Sequence, residues 1–278
     1  MGWFKKDRFS HGAKAVVTGA GSGIGRAFAL ELAARGGQVV CSDINLESAQ
    51  ETVDMIEATG AKAFAVACDV SNADQVQKLA ESAAELLGAP VDLLINNAGI
   101  GIGGRFSDTS LEDWKWAMGI NLWGVIHGCH AFVPSMKATG RGAIINVASA
   151  AAYTSAPEMS TYNVTKSGVL TLTETLSGEL KKDGIRLSAL CPTLVPTNII
   201  KSGKLPGKYQ KLADHMLTNY SFVTAKSVAA LTLDRLDRGK LYTMPQPDAK
   251  LLWLIKRTLP ATYTQLFGLS YRLVGGAR

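Results

Sequence analysis

Ser149, Tyr162 and Lys166 are the side chains whose types and spacing best suit chemistry, Tyr162 lying thirteen residues after Ser149 and four before Lys166. Residues four apart share one face of a helix, which brings the Lys166 ammonium beneath the Tyr162 phenol. A nearby cation stabilises the phenolate, so a group of ordinary pKa ~10 becomes usable as an acid or base closer to neutral pH. Ser149 follows the apolar run Ala143 to Val147, which reads as a buried strand. Its hydroxyl is therefore expected at the strand's C-terminal end, where open parallel sheets bind ligands. Such a set can move a proton on and off an alcohol oxygen. A lone Tyr-x-x-x-Lys pair equally fits a solvated helix face, so its weight rests on the elements around it.

Those elements begin with Lys14 to Val17, a short apolar run followed by Thr18-Gly19-Ala20-Gly21-Ser22-Gly23-Ile24-Gly25 and then by a helical pattern through Phe28, Leu30, Leu32 and Ala33. Strand, glycine turn and helix in that order suit a pyrophosphate, because glycines allow close backbone approach and the helix N-terminus favours negative charge. A second apolar strand, Gln38 to Ser42, ends in Asp43, about 20 residues on, where an acidic side chain can accept from both ribose hydroxyls. Asp43 repels a 2′-phosphate, and no Lys or Arg stands at Ser22, Ile44 or Asn45 to hold one. NAD(H) is thus expected over NADP(H).

From about Gly12 to Thr197 the chain resembles the classical short-chain dehydrogenase/reductase family. The family's glycine turn matches Thr18 to Gly25, its adenine-contacting pair Asp69-Val70, its Asn-Asn-Ala-Gly Asn96 to Gly99, and its Asn, Ser, Tyr and Lys match Asn121, Ser149, Tyr162 and Lys166. The resemblance implies Asn121, Ser149, Tyr162 and Lys166 as catalytic residues. It implies cofactor contacts from Gly19, Ser22, Gly23, Ile24, Gly25, Asp43, Asp69, Val70, Asn97, Ala98, Gly99, Tyr162, Lys166, Pro192, Val195 and Thr197. Reversible hydride transfer at a carbinol carbon would then use Tyr162 as the acid/base and Ser149 as the partner of the substrate oxygen. Lys166 would lower the Tyr162 pKa and hold the nicotinamide ribose, while Asn121 positions a relay water. One stretch departs from the pattern. Where the family has Pro-Gly after the sixth strand, the chain reads Cys191-Pro192-Thr193-Leu194-Val195-Pro196-Thr197, which leaves the loop path open.

The 278 residues, 47% of them hydrophobic, suffice for one large core without a linker or repeat. Strands near Ala15, Val39, Phe64, Leu94, Ile145 and Leu187 alternate with helical patterns from Ile24, Leu46, Ala73, Leu111 and Tyr162. The expected fold is α/β: a single-domain, Rossmann-type, doubly wound parallel sheet with helices on both faces and a short seventh edge strand near Lys240 to Thr243. Residues 1–11 read as an N-terminal extension, 12–248 as the catalytic domain with a substrate lid at about 194–226, and 249–278 as an amphipathic tail.

Cys41, Cys68, Cys129 and Cys191 lack metal or redox spacing and read as reduced core residues, and His11, His127, His130 and His215 form no metal set. No export signal and no run of roughly 20 apolar residues is seen, so the expected location is the cytoplasm, with peripheral contact to a membrane's inner face as an option. The net charge of +6 is concentrated at the C-terminal end, where residues 198–278 hold thirteen Lys or Arg against four Asp or Glu. Lys201, Lys204, Lys208 and Lys211 flank the expected lid. The tail, apolar from Leu251 to Ile255 and broken at Pro260, is expected to cover a neighbouring subunit or the substrate mouth, with docking on an anionic membrane and guidance of an acidic substrate as rivals. No nucleic-acid reading element is present. The resemblance implies a homodimer or homotetramer built on the helices containing Leu111 to Lys137 and Tyr162 to Lys182.

Apolar pocket walls over Ile100 to Phe106, Ala150 to Met159 and Leu194 to Leu217 favour a lipophilic alcohol or ketone, alicyclic or steroid-like. They supply Ile100, Ile102, Phe106, Tyr153, Met159, Ile199, Ile200, Leu205, Tyr209 and Met216. Two alternatives stand beside this reading. A 3-oxoacyl-thioester ketoreductase would favour NADPH, against Asp43, and a silent dinucleotide sensor would be expected to lack one of the four catalytic residues.

Overall fold

A computed structural model describes residues 8–197, 199, 203–204 and 223–273 of the chain. Seven strands form one parallel sheet: β1 (Lys14–Thr18), β2 (Gln38–Asp43), β3 (Ala63–Ala67), β4 (Leu93–Asn96), β5 (Gly142–Val147), β6 (Ile185–Leu190) and β7 (Tyr242–Thr243). Their spatial order is β3-β2-β1-β4-β5-β6-β7. The seventh strand lies where the sequence places it, at the edge beside β6.

Because side chains alternate across a strand, each central strand feeds two cores. Val16, Leu94 and Ile144 face a layer with Leu79, Phe132 and Val169, whereas Val17, Ile95 and Ile145 face another with Phe28, Val53 and Leu233. The first layer is covered by α3 (Ala73–Leu87), α5 (Gly124–Thr139) and α7 (Ser160–Glu179), and the second by α1 (Gly23–Ala34), α2 (Leu46–Glu57) and α8 (Ala225–Asp237). Both faces of the strands are buried, which is why they read as continuous apolar runs rather than alternating ones. All four cysteines are free and buried, and burial holds the Cys41, Cys129 and Cys191 thiols up at about 12.

The chain departs from a uniform helix between Leu111 and Lys137. Here α4 (Leu111–Met118) passes through a wider π-helical turn, Gly119–Trp123, before α5 begins. Asn121 sits in that turn, fully buried. Its side-chain carbonyl accepts from the Ile100 amide at 2.8 Å and its amide donates to the Ile100 carbonyl at 3.0 Å. A side chain that satisfies both backbone groups of a neighbouring loop can hold a turn that helix propensity disfavours.

At the C-terminal end, α9 (Pro247–Thr258) and α10 (Pro260–Leu273) follow β7, with α6 (Ala151–Thr154) beneath them. The break falls at Leu259 and Pro260, as the proline requires, since a ring at that position cannot continue the preceding helix. Among the described residues no helix is long and apolar enough to cross a membrane.

Candidate active site

The strand order reverses direction between β1 and β4, so the connections leaving their C-terminal ends diverge and leave a crevice. Thr18 at the end of β1 holds this edge together. Its hydroxyl accepts from the Asn97 and Ala98 amides at 3.0 and 3.1 Å, and the Asn97 side chain donates to the Thr18 carbonyl at 2.9 Å. The glycine turn wraps the same edge. Gly19 and Gly23 have φ of 65° and 56°, a left-handed conformation that glycine adopts at little cost. A side chain at Gly25 would run into the Gly19 carbonyl, so α1 starts pressed against the turn.

Ser22 stands at the N-cap of α1 in extended backbone without a capping side-chain bond, and the first turn of the helix holds no acidic residue. Its early amides thus face the crevice without a protein anion in the way, the condition a phosphate needs. At the far end of the turn, Asp43 accepts from the Gly21 amide at 2.9 Å with one carboxylate oxygen and from the Asn45 amide at 3.1 Å with the other. Arg26 braces this corner from behind through Glu51 at 2.8 Å and Thr52 at 3.0 Å.

One cleft of about 300 Å³ gathers most of the residues that the sequence singled out. Gly19, Ser22, Gly23, Ile24, Asp43, Asp69, Val70, Asn97, Ala98, Gly99, Ser149, Tyr162, Lys166, Pro192, Val195 and Thr197 all line it. Gly25 and Asn121 lie behind the surface, the first against Gly19 and the second against Ile100. Ile44, Cys68 and Ile120 also line the cleft, and no sequence motif marks them for that role. Of the apolar walls, Ile100 and Ile199 reach the cleft. Ile102 and Lys204 pair as a bridge next to it, and the Lys204 ammonium lies 2.5 Å from Asp113. Lys201, Lys208, Lys211, His215, Ile200, Leu205, Tyr209 and Met216 lie outside the described residues.

Ser149, Tyr162 and Lys166 meet at the inner end. Ser149 leaves β5 and donates to the Pro192 carbonyl at 3.4 Å, beside the Tyr162 phenol in the same cleft. Lys166 is buried, with its ammonium 5.8 Å from the centre of the Tyr162 ring, donating to the Val147 carbonyl at 2.9 Å. The expected depression of the phenol by this ammonium is not what the protein alone produces. Burial pushes the Tyr162 phenol upward, with the Ser149 hydroxyl opposing it, and burial likewise holds the Lys166 ammonium down at about 8. Both groups lose water on burial, and desolvation disfavours the charged form of each.

This has a stability consequence. An unfolded lysine titrates near ~10.4, whereas folded Lys166 titrates at about 8. Between those values the unfolded chain holds a proton that the folded chain has released, so this residue makes stability rise with pH from about 8 to 10. Below about 8 both states are charged and the desolvation cost stands in full. Lys166→Met is therefore expected to melt higher than the parent chain at pH 7, with the gap narrowing toward pH 10; a gap independent of pH would overturn this account.

The loop after β6, whose path the sequence left open, is held from outside. Gln246, buried just before α9, accepts from the Thr193 amide at 3.1 Å and donates to the Leu194 carbonyl at 3.0 Å. Ala150 donates to the Pro192 carbonyl at 2.8 Å, which ties the loop to Ser149. Thr193 and the second proline are accommodated because an amide from a distant segment replaces the local turn. Gln246→Ala would remove the hydrogen bonds that Gln246 makes to the Thr193 amide and the Leu194 carbonyl, and a loss of about 1–3 kcal/mol in stability is expected on chemical denaturation.

Comparison with known proteins places this geometry. The family model described as short chain dehydrogenase matches residues 13–205. A crystal structure of a short chain dehydrogenase/reductase from Burkholderia phymatum in complex with NAD is 37% identical, with a TM-score of 0.84, over 91% of this chain and 95% of that one. The 7alpha-hydroxysteroid dehydrogenase of Escherichia coli is 34% identical over 73% of this chain and 79% of its own length. Probable oxidoreductase EphD of Mycobacterium tuberculosis is 36% identical over 88% of this chain. The chain spans only 43% of the length of that relative. With the family model covering well over half the chain and the same fold in a relative at this identity, the chain belongs to the short-chain dehydrogenase family.

Proposed function

We propose that the protein is an NAD(H)-dependent oxidoreductase that interconverts a secondary alcohol and a ketone, the substrate being lipophilic and alicyclic or steroid-like. The observation that carries this reading is the meeting of Ser149, Tyr162 and Lys166 in the cleft that also holds the glycine turn and Asp43. The site suits a nicotinamide dinucleotide, because the uncapped start of α1 offers amides to a pyrophosphate and the Asp43 carboxylate lies at the far end of the same turn. When bound, the nicotinamide supplies the hydride acceptor in oxidation and the donor in reduction.

The protein's own residues handle the proton and the orientation. In oxidation Tyr162 takes the hydroxyl proton, and in reduction it returns one to the nascent alkoxide. Ser149 aims its hydroxyl at the same oxygen, where charge develops. Lys166 places a cation within reach of the phenolate, and a proton leaving Tyr162 can pass toward it and on to water positioned at the Asn121 turn. Asp43 accepts from the ribose hydroxyls and repels a 2′-phosphate. The Burkholderia relative's NAD complex and the steroid chemistry in the name of the Escherichia relative support the cofactor and the substrate class.

A panel of secondary alcohols offered with NAD⁺ or NADP⁺, read as the absorbance of the reduced cofactor, tests the reading. Turnover is expected with NAD⁺ and alicyclic alcohols, and preferred use of NADP⁺ or of short polar alcohols would overturn it. We also propose a homodimer or homotetramer. Trp123 and Val164, both about half exposed, lie in the two helical regions to which the resemblance assigns the interface, and size-exclusion chromatography with light scattering tests this.

A further inference from the structure

We propose that α9 and α10 form a docking surface for an anionic lipid bilayer, set against the rim of the candidate active site. Helix α9 is apolar on two opposite sides. Ala249, Leu252, Trp253 and Lys256 turn toward the body, where Trp253 packs on Tyr242 with ring centres 5.9 Å apart and Lys256 donates to Ser155 at 2.6 Å. Leu251, Leu254, Ile255 and Leu259, at spacings of three, four and eight, share the outer side. Leu251, Leu254 and Leu259 are each more than half exposed, and α10 adds Leu266 and Leu269, both at least half exposed. Among ordinary surface side chains an apolar stripe of this extent marks a binding face.

Charge selects the occupant. From Ala249 to Arg278 the sequence has five basic residues and no acidic one. On the described helices Lys250, Arg257 and Arg272 are exposed beside the leucines. Two copies meeting through this face would bring like charges together, whereas an anionic bilayer supplies both the apolar layer and the counter-charge. Each basic residue close to such a surface strengthens binding about fivefold.

The inner side of the same helices grips the segment between Ser149 and the helix that carries Tyr162. Tyr263 donates to the Thr154 carbonyl at 3.0 Å and Tyr271 to the Glu158 carboxylate at 2.8 Å. Glu158 also lies 3.5 Å from Arg105, and its carbonyl accepts from the Gly104 amide at 2.7 Å. Ser155 and Glu158 are the non-glycine residues of left-handed φ among those described, 53° and 62°. This segment runs directly into the helix that carries Tyr162, so the tail braces a strained loop next to the site. Phe106 and Leu111, beside Arg105 in sequence, are mostly exposed as well. Docking through this face holds the mouth of the cleft near the bilayer, where a lipophilic alcohol partitions. That last consequence rests on the oxidoreductase reading; the docking itself does not.

Full-length protein mixed with vesicles of phosphatidylcholine and phosphatidylglycerol is expected to sediment with them at low salt. At about 1 M salt, where screening acts within about 3 Å, sedimentation should fall at least tenfold. Leu251→Asp with Leu254→Asp and Leu266→Asp should abolish binding while the melting temperature and NADH affinity stay unchanged. Should that variant misfold, Lys250→Gln with Arg257→Gln and Arg272→Gln provides the second test, with at least a tenfold loss expected. Absence of vesicle binding, or binding that neither variant weakens, would overturn the proposal. So would dissociation of an oligomer by the leucine substitutions without any vesicle binding in the parent, which would assign the face to a second copy.

Discussion

Tyr162→Phe is expected to fold, to bind NADH with parental affinity and to lose turnover by a factor of at least ~10² to 10⁴, the share ordinarily supplied by a placed acid or base. The fold should tolerate the change because the ring is kept and Ser149 retains the Pro192 carbonyl as a partner, so no hydroxyl is stranded. The loss should appear in kcat and in kcat/KM alike, since the missing hydroxyl acts on the reacting oxygen rather than on ground-state affinity. Burial sets the direction of the pH profile. With the phenol held above its ordinary value, alcohol oxidation needs the deprotonated form and should climb with pH, whereas ketone reduction needs the protonated form and should persist at neutral pH. Near-parental turnover in the Phe variant, with the same pH profile, would remove Tyr162 from the chemistry.

The second large effect concerns the cofactor. Asp43→Ala with Ile44→Arg is expected to move preference from NAD⁺ toward NADP⁺. The first change removes the carboxylate that repels a 2′-phosphate, and the second places a guanidinium at a position exposed beside the cleft. Asp43 also accepts from the Gly21 and Asn45 amides, so Asp43→Ala alone should weaken NAD⁺ binding twice over, by losing a ribose partner and by loosening the turn. Asp43→Asn separates these contributions, because a carboxamide oxygen can still accept from Gly21 while the charge is gone. Ratios of kcat/KM for the two cofactors measure the switch. A parent chain that already favours NADP⁺ would overturn the assignment of Asp43.

Much of the scaffold was readable because its signals are local. Fully buried parallel strands are continuous apolar runs, glycines mark the turn where no Cβ fits, and the break in the tail is carried by Pro260 itself. Asp43 could be located by counting from the glycine turn to the end of the second strand. Other features depend on residues far apart in sequence. The π-helical turn at Asn121 exists because a loop twenty-one residues away presents both backbone groups of Ile100 to one side chain, and helical periodicity alone carries straight through it. Gln246 braces Thr193 and Leu194 from more than fifty positions away, and nothing in its neighbourhood in sequence marks it.

The sequence by itself determined which strands make the sheet, and it singled out the groups proposed to exchange a proton and the turn proposed to receive a phosphate, since these follow from residue type and short-range spacing. The tertiary structure alone decided the electrostatic state of the site. Spacing puts Lys166 beside Tyr162 and leads one to expect a lowered phenol. Burial then sets the balance the other way, because desolvation depends on everything packed around a group and not on the three residues between two of them.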